Sequence, residues 1–292
     1  MPRTLHGRMK NPIWLFIRAL LAFIIFLPGT MPSAMPSAMA AKKVKLTWYG
    51  HAAFKVETPS GGVILIDPWL GNPSNPHTDT LEKLGRVDYI LLTHGHSDHV
   101  GETAAILAKT GAKLVTTFDL GANLAAIHGI PESQAGVDTL GNIGGMIPLP
   151  KAGAKVTLVS AVHGSTLRLP NPKPGEPPLI HGGPPVGFVL EIDDGPVIYH
   201  TGDTDVHTGM ILIRGFKVDV MLAAIGDHST MGPKRAATAA GMVRPKKLVP
   251  MHYGTSPLLT GTPEELKKAL RKMRKGMEKI VVVMKPGETR SF

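Results

Sequence analysis

From residue 43 onward, short apolar runs separated by turns alternate with amphipathic stretches. The runs are rich in β-branched and aromatic residues, which predicts strands, whereas the stretches repeat apolar residues with the period of an α-helix. The predicted strands are 43–49, 53–57, 62–66, 87–92, 113–117, 155–162, 186–192, 195–200, 218–224, 246–251 and 279–284. The predicted helices are 101–110, 120–129, 206–215, 233–243 and 263–275.

The last of these helices has the clearest start. Thr262 is a suitable N-cap, Pro263 suits the first helical position, and Glu265 is placed to complete a capping box. Several strand runs, such as 87–92, are apolar throughout, which is typical of strands that are covered on both faces. A β-meander followed by β-α-β-α, with a similar order after residue 150, therefore predicts an α/β fold with two sheets and outer helices.

The first forty residues have the pattern of a secretory signal peptide. Arg3, Arg8 and Lys10 precede an uninterrupted apolar run over 19–27, and Ala-Met-Ala at 38–40 supplies a small-x-small cleavage pattern. The run is shorter than the roughly 20 residues that span a bilayer. We therefore expect an exported protein, periplasmic or secreted, with no stable membrane span after signal removal. An uncleaved N-terminal membrane anchor is the alternative.

With the signal over 1–40, residues 41–292 are expected to form a single domain. The 292-residue chain is 43% hydrophobic and contains no cysteine, so disulfides, cysteine-linked lipids and thiolate metal ligands are excluded. Its formal net charge is +10, and much of the excess lies over 266–279. A solvated helix face explains that run most simply, although a basic surface also attracts anionic substrates or lipid head groups. No nucleic-acid-binding motif is present, and nucleic acid is not an expected partner.

Metal-capable side chains are crowded into one turn, in the stretch ILLTHGHSDHVG at 90–101. His94, His96, Asp98 and His99 follow an apolar strand and precede a helix, the position at which a sheet scaffold presents chemistry to an open crevice. Four such ligands cannot comfortably surround one tetrahedral ion. The spacing therefore indicates two adjacent metal ions that need further ligands from elsewhere.

Three further candidates stand where predicted strands end. They are His163, Asp203 and His252. Counting gives seven ligands, one of them shared, with a water between two ions about 3.5–4 Å apart. Such a water is acidified to a pKa near 7, so a metal-bridging hydroxide would be available to attack a carbonyl carbon or a phosphorus centre. No serine or cysteine nucleophile is then required, and Asp98 is placed to orient that hydroxide.

Ordered motifs across residues 44–285 carry a family resemblance. They are LTWYGHAAFKVET, ILIDPWL, DYILLTHGHSDHVGET, GGPPVGFVLEI, VIYHTGDT, IGDHSTMGP and LVPMHYGT. The chain resembles the metallo-β-lactamase superfamily, and more closely its metal-dependent hydrolase branch, which includes ascorbate-6-phosphate lactonase-like and phosphodiesterase-like proteins. The resemblance implies a four-layer αββα sandwich of two mixed sheets with outer helices.

The resemblance also implies an assignment of the ligands. One ion would be held by His94, His96 and His163, and the second by Asp98, His99 and His252, with Asp203 bridging both; Asp98 and Asp203 would be the catalytic carboxylates. Di-iron relatives have Glu where this chain has His96, so redox chemistry on oxygen or nitric oxide is disfavoured. Zinc suits the His and Asp ligands, and manganese or iron are alternatives.

The expected activity is hydrolysis of an ester-like bond, in a lactone, a carboxylate ester or a phosphodiester. The expected partner is a small-molecule substrate, with an anionic substrate as one option. β-Lactam hydrolysis is disfavoured, because the surrounding motifs differ from those of true lactamases. The alternative is a metal-dependent binding or sensor protein without turnover. Asp67 is expected to brace the metal loop from behind, His200 to be a hydrogen-bonded strand histidine, and the Pro-rich stretch 169–185 to be a stiff surface loop or a lid. The expected substrate-pocket residues are His51, Asp227, His228 and Tyr253.

Overall fold

Fifteen strands and seven α-helices are found in residues 43–292, the part of the chain that the computed structural model describes. The strands of the first half are β1 (Lys45–Gly50), β2 (Ala53–Glu57), β3 (Val63–Ile66), β4 (Tyr89–Leu91), β5 (Lys113–Thr117), β6 (Leu140–Gly141) and β7 (Met146–Leu149). Those of the second half are β8 (Ala154–Ser160), β9 (Thr166–Arg168), β10 (Leu179–His181), β11 (Val186–Ile192), β12 (Val197–His200), β13 (Val220–Ala224), β14 (Lys247–Met251) and β15 (Thr289–Ser291). The helices are α1 (Thr80–Lys83), α2 (Ser97–Val100), α3 (Thr103–Thr110), α4 (Phe118–His128), α5 (Met210–Ile213), α6 (Pro233–Val243) and α7 (Pro263–Met273).

Two mixed sheets are built from these strands. The first sheet has seven strands in the order β15-β1-β2-β3-β4-β5-β6, and the second has six in the order β14-β13-β12-β11-β8-β7. Strands β3, β4 and β5 are parallel in the first sheet, as are β12, β13 and β14 in the second. Their carboxyl ends therefore meet along one edge of each sheet, where loops can bring polar side chains together.

The two sheets pack face to face, and helices cover their outer faces. Between the sheets, side chains such as Trp48 and Phe54 of the first sheet share one buried apolar cluster with Phe188 and Leu190 of the second. A second cluster joins the outer face of the first sheet to α3 and α4, and a third joins the outer face of the second sheet to α5, α6 and α7. The prediction of a four-layer αββα sandwich is confirmed.

Local signals in the sequence mark some elements accurately. Helix α7 begins with the predicted capping box, in which Thr262 Oγ1 accepts from the backbone N–H of Glu265 and the Glu265 side chain accepts from the Thr262 N–H. Helix α6 and strand β11 have the predicted bounds. The helix predicted over 206–215 is instead a single turn, α5, followed by a 3₁₀ turn over Arg214–Phe216.

The strand predicted over 279–284 is wrong. A 3₁₀ turn spans Met277–Ile280, and the chain then makes one isolated bridge, between Val281 and Leu248 of β14. The apolar pattern of this run reflects burial rather than pairing, because Met284 lies in the cluster between the sheets and Val282 packs against it. The strand that follows is β15, which pairs antiparallel with β1.

Within residues 43–292, no helix is both long enough and apolar enough to cross a membrane. The signal peptide predicted over 1–40 lies outside the described residues.

Candidate metal centre

The segment from 93 to 99 forms a tight loop after β4. His94 is fully buried, and His96 caps α2, whose first turn carries Asp98 and His99. Gly95 allows the loop to pass close to the neighbouring chain, since a Cβ there would lie 3.0 Å from the Thr166 carbonyl oxygen. The short helix turns the chain so that four metal-capable side chains project from one loop.

The first group of the site consists of three histidines. One ring nitrogen from each of His94, His96 and His163 lies within 4.8 Å of those of the other two. His94 Nε2 is 3.0 Å from His96 Nδ1, and the His163 ring comes from the loop after β8, with its centroid 5.1 Å from that of His94. Burial lowers the pKa of each of the three imidazoles, which keeps them in the neutral form that can bind a metal ion.

The centre of the site is the carboxylate of Asp203, in the loop after β12. Its Oδ2 lies 3.0 Å from Nε2 of His252, 3.3 Å from Nε2 of His99 and 3.6 Å from Nε2 of His163. Burial alone would raise the pKa of Asp203, but His252 and His99 hold it well below its ordinary value. Burial likewise opposes protonation of His99, yet Asp203 and Asp67 raise its pKa well above the ordinary value.

Several of these buried atoms have no hydrogen-bond partner. Among the described residues, they are His99 Nε2, Asp203 Oδ1 and both ring nitrogens of His252. A buried polar atom without a partner costs about 1–3 kcal/mol, so a cluster of them indicates a missing partner. Imidazole nitrogens and carboxylate oxygens are ligands that zinc, manganese and iron accept. The donor set therefore fits divalent metal ions.

Asp67 lies behind this cluster, where the sequence suggested a bracing role. Its Oδ1 accepts a hydrogen bond from the Thr93 N–H at 2.8 Å, and its Oδ2 lies 2.7 Å from both Thr93 Oγ1 and His99 Nδ1. Because a carboxylate only accepts, Nδ1 of His99 donates to Asp67, and Nε2 on the other side of the ring faces Asp203. Thr93, which links Asp67 to His94 Nδ1 at 2.9 Å, is a bracing residue that sequence reasoning missed.

Asp98 is held by a residue from a different part of the sheet. His51, in the turn between β1 and β2, places Nε2 3.1 Å from Asp98 Oδ2 and Nδ1 3.1 Å from Thr255 Oγ1. Burial lowers the pKa of His51 to about 4. Burial alone would raise the pKa of Asp98, but the hydrogen bond from His51 and the nearby His99 hold it below its ordinary range.

A cleft of about 180 Å³ opens beside Asp98. Of the four expected pocket residues, His51 and His228 line it, whereas Asp227 and Tyr253 do not. The Tyr253 ring packs on Trp48, with centroids 5.6 Å apart. Sequence reasoning missed several lining residues because they lie in loops without a pattern. The cleft is lined by His51, Trp69, Asp98, His228, Ser229, His252, Thr255, Ser256, Leu258 and Leu259.

Left-handed backbone is concentrated around the cleft. Eight described residues other than glycine have positive φ, and such conformations are uncommon and cost of order 1–3 kcal/mol when strained. Five of the eight adjoin the site, which indicates that the fold holds the loops there in unusual conformations. They are His51, Asp67, Asp227, His228 and His252.

Two other histidines of interest lie apart from the cluster. His200 is fully buried at the end of β12, with Nε2 3.1 Å from the Ala52 carbonyl and Nδ1 accepting from the Gly202 N–H, as expected for a structural histidine. His181 is exposed on β10, and its Nδ1 accepts from the Gly183 N–H. Strand β10 pairs with β9 in a two-stranded sheet, so the Pro-rich stretch 169–185 includes regular structure that its composition did not predict.

The family model described as "Beta-lactamase superfamily domain" matches residues 63–253. The chain belongs to the β-lactamase superfamily. Known metal-dependent hydrolases of this superfamily are similar over most of the chain. It is 52% identical over 256 residues to a UPF0173 metal-dependent hydrolase of Anaeromyxobacter sp. strain K, covering 87% of this chain and 88% of that relative. It is 48% identical over 248 residues to a UPF0173 metal-dependent hydrolase of Thermodesulfovibrio yellowstonii, covering 84% and 91%.

Solved structures agree with this assignment. Igni18, described as a novel metallo hydrolase from the hyperthermophilic archaeon Ignicoccus hospitalis, is 34% identical with a TM-score of 0.70, over 86% of this chain and 99% of that one. An isothiocyanate hydrolase from Delia radicum gut bacteria shares the fold at 21% identity and a TM-score of 0.61, over 85% and 98%. This superfamily member is a metal-dependent hydrolase with the metallo-β-lactamase fold. Its seven candidate ligands all lie inside the matched region, whereas His51 lies before it.

Proposed function

We propose that this metal-dependent hydrolase binds two divalent ions and uses them to cleave an ester-like bond. His94, His96 and His163 would hold one ion, and Asp98, His99 and His252 the other, with Asp203 shared. The supporting observation is the position of Asp203 Oδ2, within 3.6 Å of imidazole nitrogens from three separate loops, next to buried atoms without partners. Zinc is the first candidate, and manganese and iron are the alternatives.

Two bound ions would supply a water molecule that ionises near neutral pH, and a positive field for the charge that develops on the substrate oxygen. The two candidate catalytic carboxylates differ in solvent exposure, and their proposed roles differ accordingly. Asp203 is buried and can only hold the centre together, whereas the Asp98 side chain is 39% exposed and borders the cleft. Asp98 is therefore the carboxylate that is placed to orient the attacking water.

The cleft favours a small acyl substrate within the ester-like class. Its volume of about 180 Å³ is modest, and its wall combines apolar Trp69 and Leu258 with the hydroxyl groups of Ser229 and Ser256. Among the described lining residues there is no lysine or arginine to bind a phosphate group. A lactone or a short carboxylate ester thus fits the wall better than a phosphodiester.

The proposal is tested with purified protein stripped of metal and reloaded separately with Zn²⁺, Mn²⁺ or Fe²⁺. Metal content would be measured by mass spectrometry, and turnover with p-nitrophenyl acetate, a γ-lactone and bis-p-nitrophenyl phosphate. We expect two ions per chain and faster turnover of the two acyl substrates. Two bound ions without turnover of any substrate would favour a binding or sensor protein, and fewer than two ions in every preparation would contradict the dinuclear proposal.

We also propose that the protein is exported, with residues 1–40 as a cleaved signal peptide. The basic start, apolar run and small-x-small pattern support this. N-terminal sequencing of the protein recovered from a periplasmic fraction is expected to begin at Ala41. Recovery of the intact N-terminus in the membrane fraction would favour an uncleaved anchor instead.

A further inference from the structure

We propose that His51 is a positioning residue that fixes Asp98 for metal binding, and that it is not itself a metal ligand. The inference rests on the proposed function, because it assigns a supporting role within the second half of the dinuclear centre. His51 lies outside the region matched by the superfamily model, 63–253, so the match says nothing about it.

The backbone of His51 is held firmly between the two sheets. It lies in a tight turn after Gly50, with a φ of 51°. Its carbonyl accepts one hydrogen bond from Trp48 Nε1 at 3.0 Å and another from the backbone N–H of His252 at 2.9 Å. The turn of the first sheet is thus tied directly to a ligand-bearing loop of the second.

The ring of His51 is equally constrained. It lies 3.7 Å from the His252 ring, measured between centroids, and meets the Trp69 ring edge-on at 5.1 Å. The residue is only 2% exposed. A ring packed in this way cannot swing toward a substrate in the cleft, so it acts through its hydrogen bonds.

Those hydrogen bonds have a defined direction. The Asp98 carboxylate can only accept, so His51 Nε2 is the donor across the 3.1 Å contact. In a neutral imidazole the other nitrogen is an acceptor, so Nδ1 accepts from the Thr255 hydroxyl, also at 3.1 Å. The chain Thr255–His51–Asp98 fixes Asp98 Oδ2, so that Oδ1 would be available to a metal ion.

A ligand role for His51 is the competing interpretation. One atom from each of His51, Asp98, His99 and His252 lies within 4.8 Å of the others, so distance alone admits His51 as a ligand. The hydrogen bonds separate these residues. His99 Nε2 and both His252 nitrogens have no partner among the described residues, whereas both nitrogens of His51 already have one. Histidine that donates to a ligating carboxylate matches the pattern of supporting residues around metal sites.

The test uses a matched pair of variants, His51→Gln and His51→Met. Both side chains are long enough to fill the ring's space, but only glutamine has an N–H that can donate to Asp98. Thr255→Val removes the outer hydrogen bond without touching His51. His128→Gln, at the exposed end of α4, is the control. Affinities for two successive Zn²⁺ ions are measured on metal-free protein with a chromophoric chelator, and the Co²⁺ spectrum is recorded for each variant.

We expect His51→Met to lower the affinity for the ion that Asp98 would hold by about 10- to 100-fold, and to leave the affinity for the other ion unchanged. His51→Gln should recover most of that loss with a Co²⁺ spectrum like that of the wild type, and Thr255→Val should lose less than His51→Met. Equal affinities for His51→Met and wild type would overturn the inference, and so would a Gln variant no better than the Met variant. A wild-type protein that binds fewer than two ions would contradict the proposed function instead. If the Met variant does not fold, the Gln variant and Thr255→Val still decide between the two roles. A ligand role predicts an altered Co²⁺ spectrum for His51→Gln and an unchanged spectrum for Thr255→Val.

Discussion

Asp219 and Asp203 lie at opposite edges of the second sheet, Asp219 just before β13 begins and Asp203 just after β12 ends. The Asp219 carboxylate accepts from the backbone N–H of Val197 at 2.9 Å and pairs with Lys246 at 2.6 Å. Asp203 faces three imidazoles instead, and its Oδ1 has no partner. One carboxylate is satisfied by the fold itself, and the other is left for a ligand to satisfy.

The larger of the two cavities does not lie at the candidate metal centre. The edge near Asp219 has a cavity of about 690 Å³, several times the volume of the cleft beside Asp98. Yet the metal-capable clusters found among residues 43–292 are all at the Asp203 edge. The candidate metal centre is therefore marked by a cluster of unsatisfied buried donors and acceptors, and not by the larger volume of empty space.

The largest effect is expected from Asp203→Asn, which removes the charge of the carboxylate that we propose is shared by the two ions. We expect the metal content to fall and kcat/KM for the best acyl substrate to drop by about a thousandfold, or about 4 kcal/mol of transition-state stabilisation. Asp205→Asn is the matched control, because that carboxylate is exposed and pairs with Arg235. Full metal content and full turnover in Asp203→Asn would remove the contrast between the two edges.

A smaller loss is expected from Asp67→Asn. One oxygen of Asp67 serves both Thr93 and His99, and an amide offers only one acceptor where the carboxylate offers two. We expect metal affinity to fall by about 10- to 100-fold, measured by chelator competition. Thr93→Val deletes the hydroxyl between Asp67 and His94 but leaves the Asp67–His99 contact in place, so it should cost less. If the two variants are equally impaired, Asp67 is not the element that orients His99.

At the other edge, Asp219→Ala should affect stability and leave the chemistry intact. The substitution leaves the Val197 N–H without its charged acceptor, so the free energy of unfolding should fall by about 1–2 kcal/mol. Urea denaturation measures this, and metal content and turnover should match those of the wild type. A loss of metal in this variant would show that the two edges are coupled.

The smallest effect is expected from Lys246→Ala. The Lys246 side chain is 76% exposed, and an ion pair of that kind contributes less than about 1 kcal/mol. The difference from wild type should shrink further as the salt concentration in the denaturation experiment rises. An effect as large as that of Asp219→Ala would mean that the lysine, and not the backbone N–H, is the main partner of Asp219.

Much of the fold could be predicted from the sequence, because strand and helix periodicities follow directly from which faces are buried. The same rule failed at 279–284, where apolar residues are buried without forming a ladder. Strand exits also identified His94, Asp203 and His252 as candidates, and the structure brings these regions together. The roles assigned to the seven candidate ligands stay predictions.

The sequence separated His200 from His252 only as an expectation, because it does not show which atoms satisfy each ring. His200 and His252 both stand at the end of a buried strand, yet the backbone satisfies both nitrogens of His200 and neither of those of His252. Adjacency in the sequence also did not show which side chains lie together in the cleft. Tyr253 follows His252 directly, yet its ring packs on Trp48, and the backbone between the two side chains is left-handed at His252 rather than extended. Thr255 and Trp69 had no signal, since only the folded loops bring them to His51.

The candidate ligands come from both sheets: residues 94–99 from the first, and His163, Asp203 and His252 from the second. Ions bound there would cross-link the two sheets of the sandwich. Their affinity would then report the alignment of one layer with the other to a fraction of an ångström. A substitution that creates a cavity between the sheets, for example at Phe188, would then lower the affinity for the ions, although Phe188 is not one of the candidate ligands.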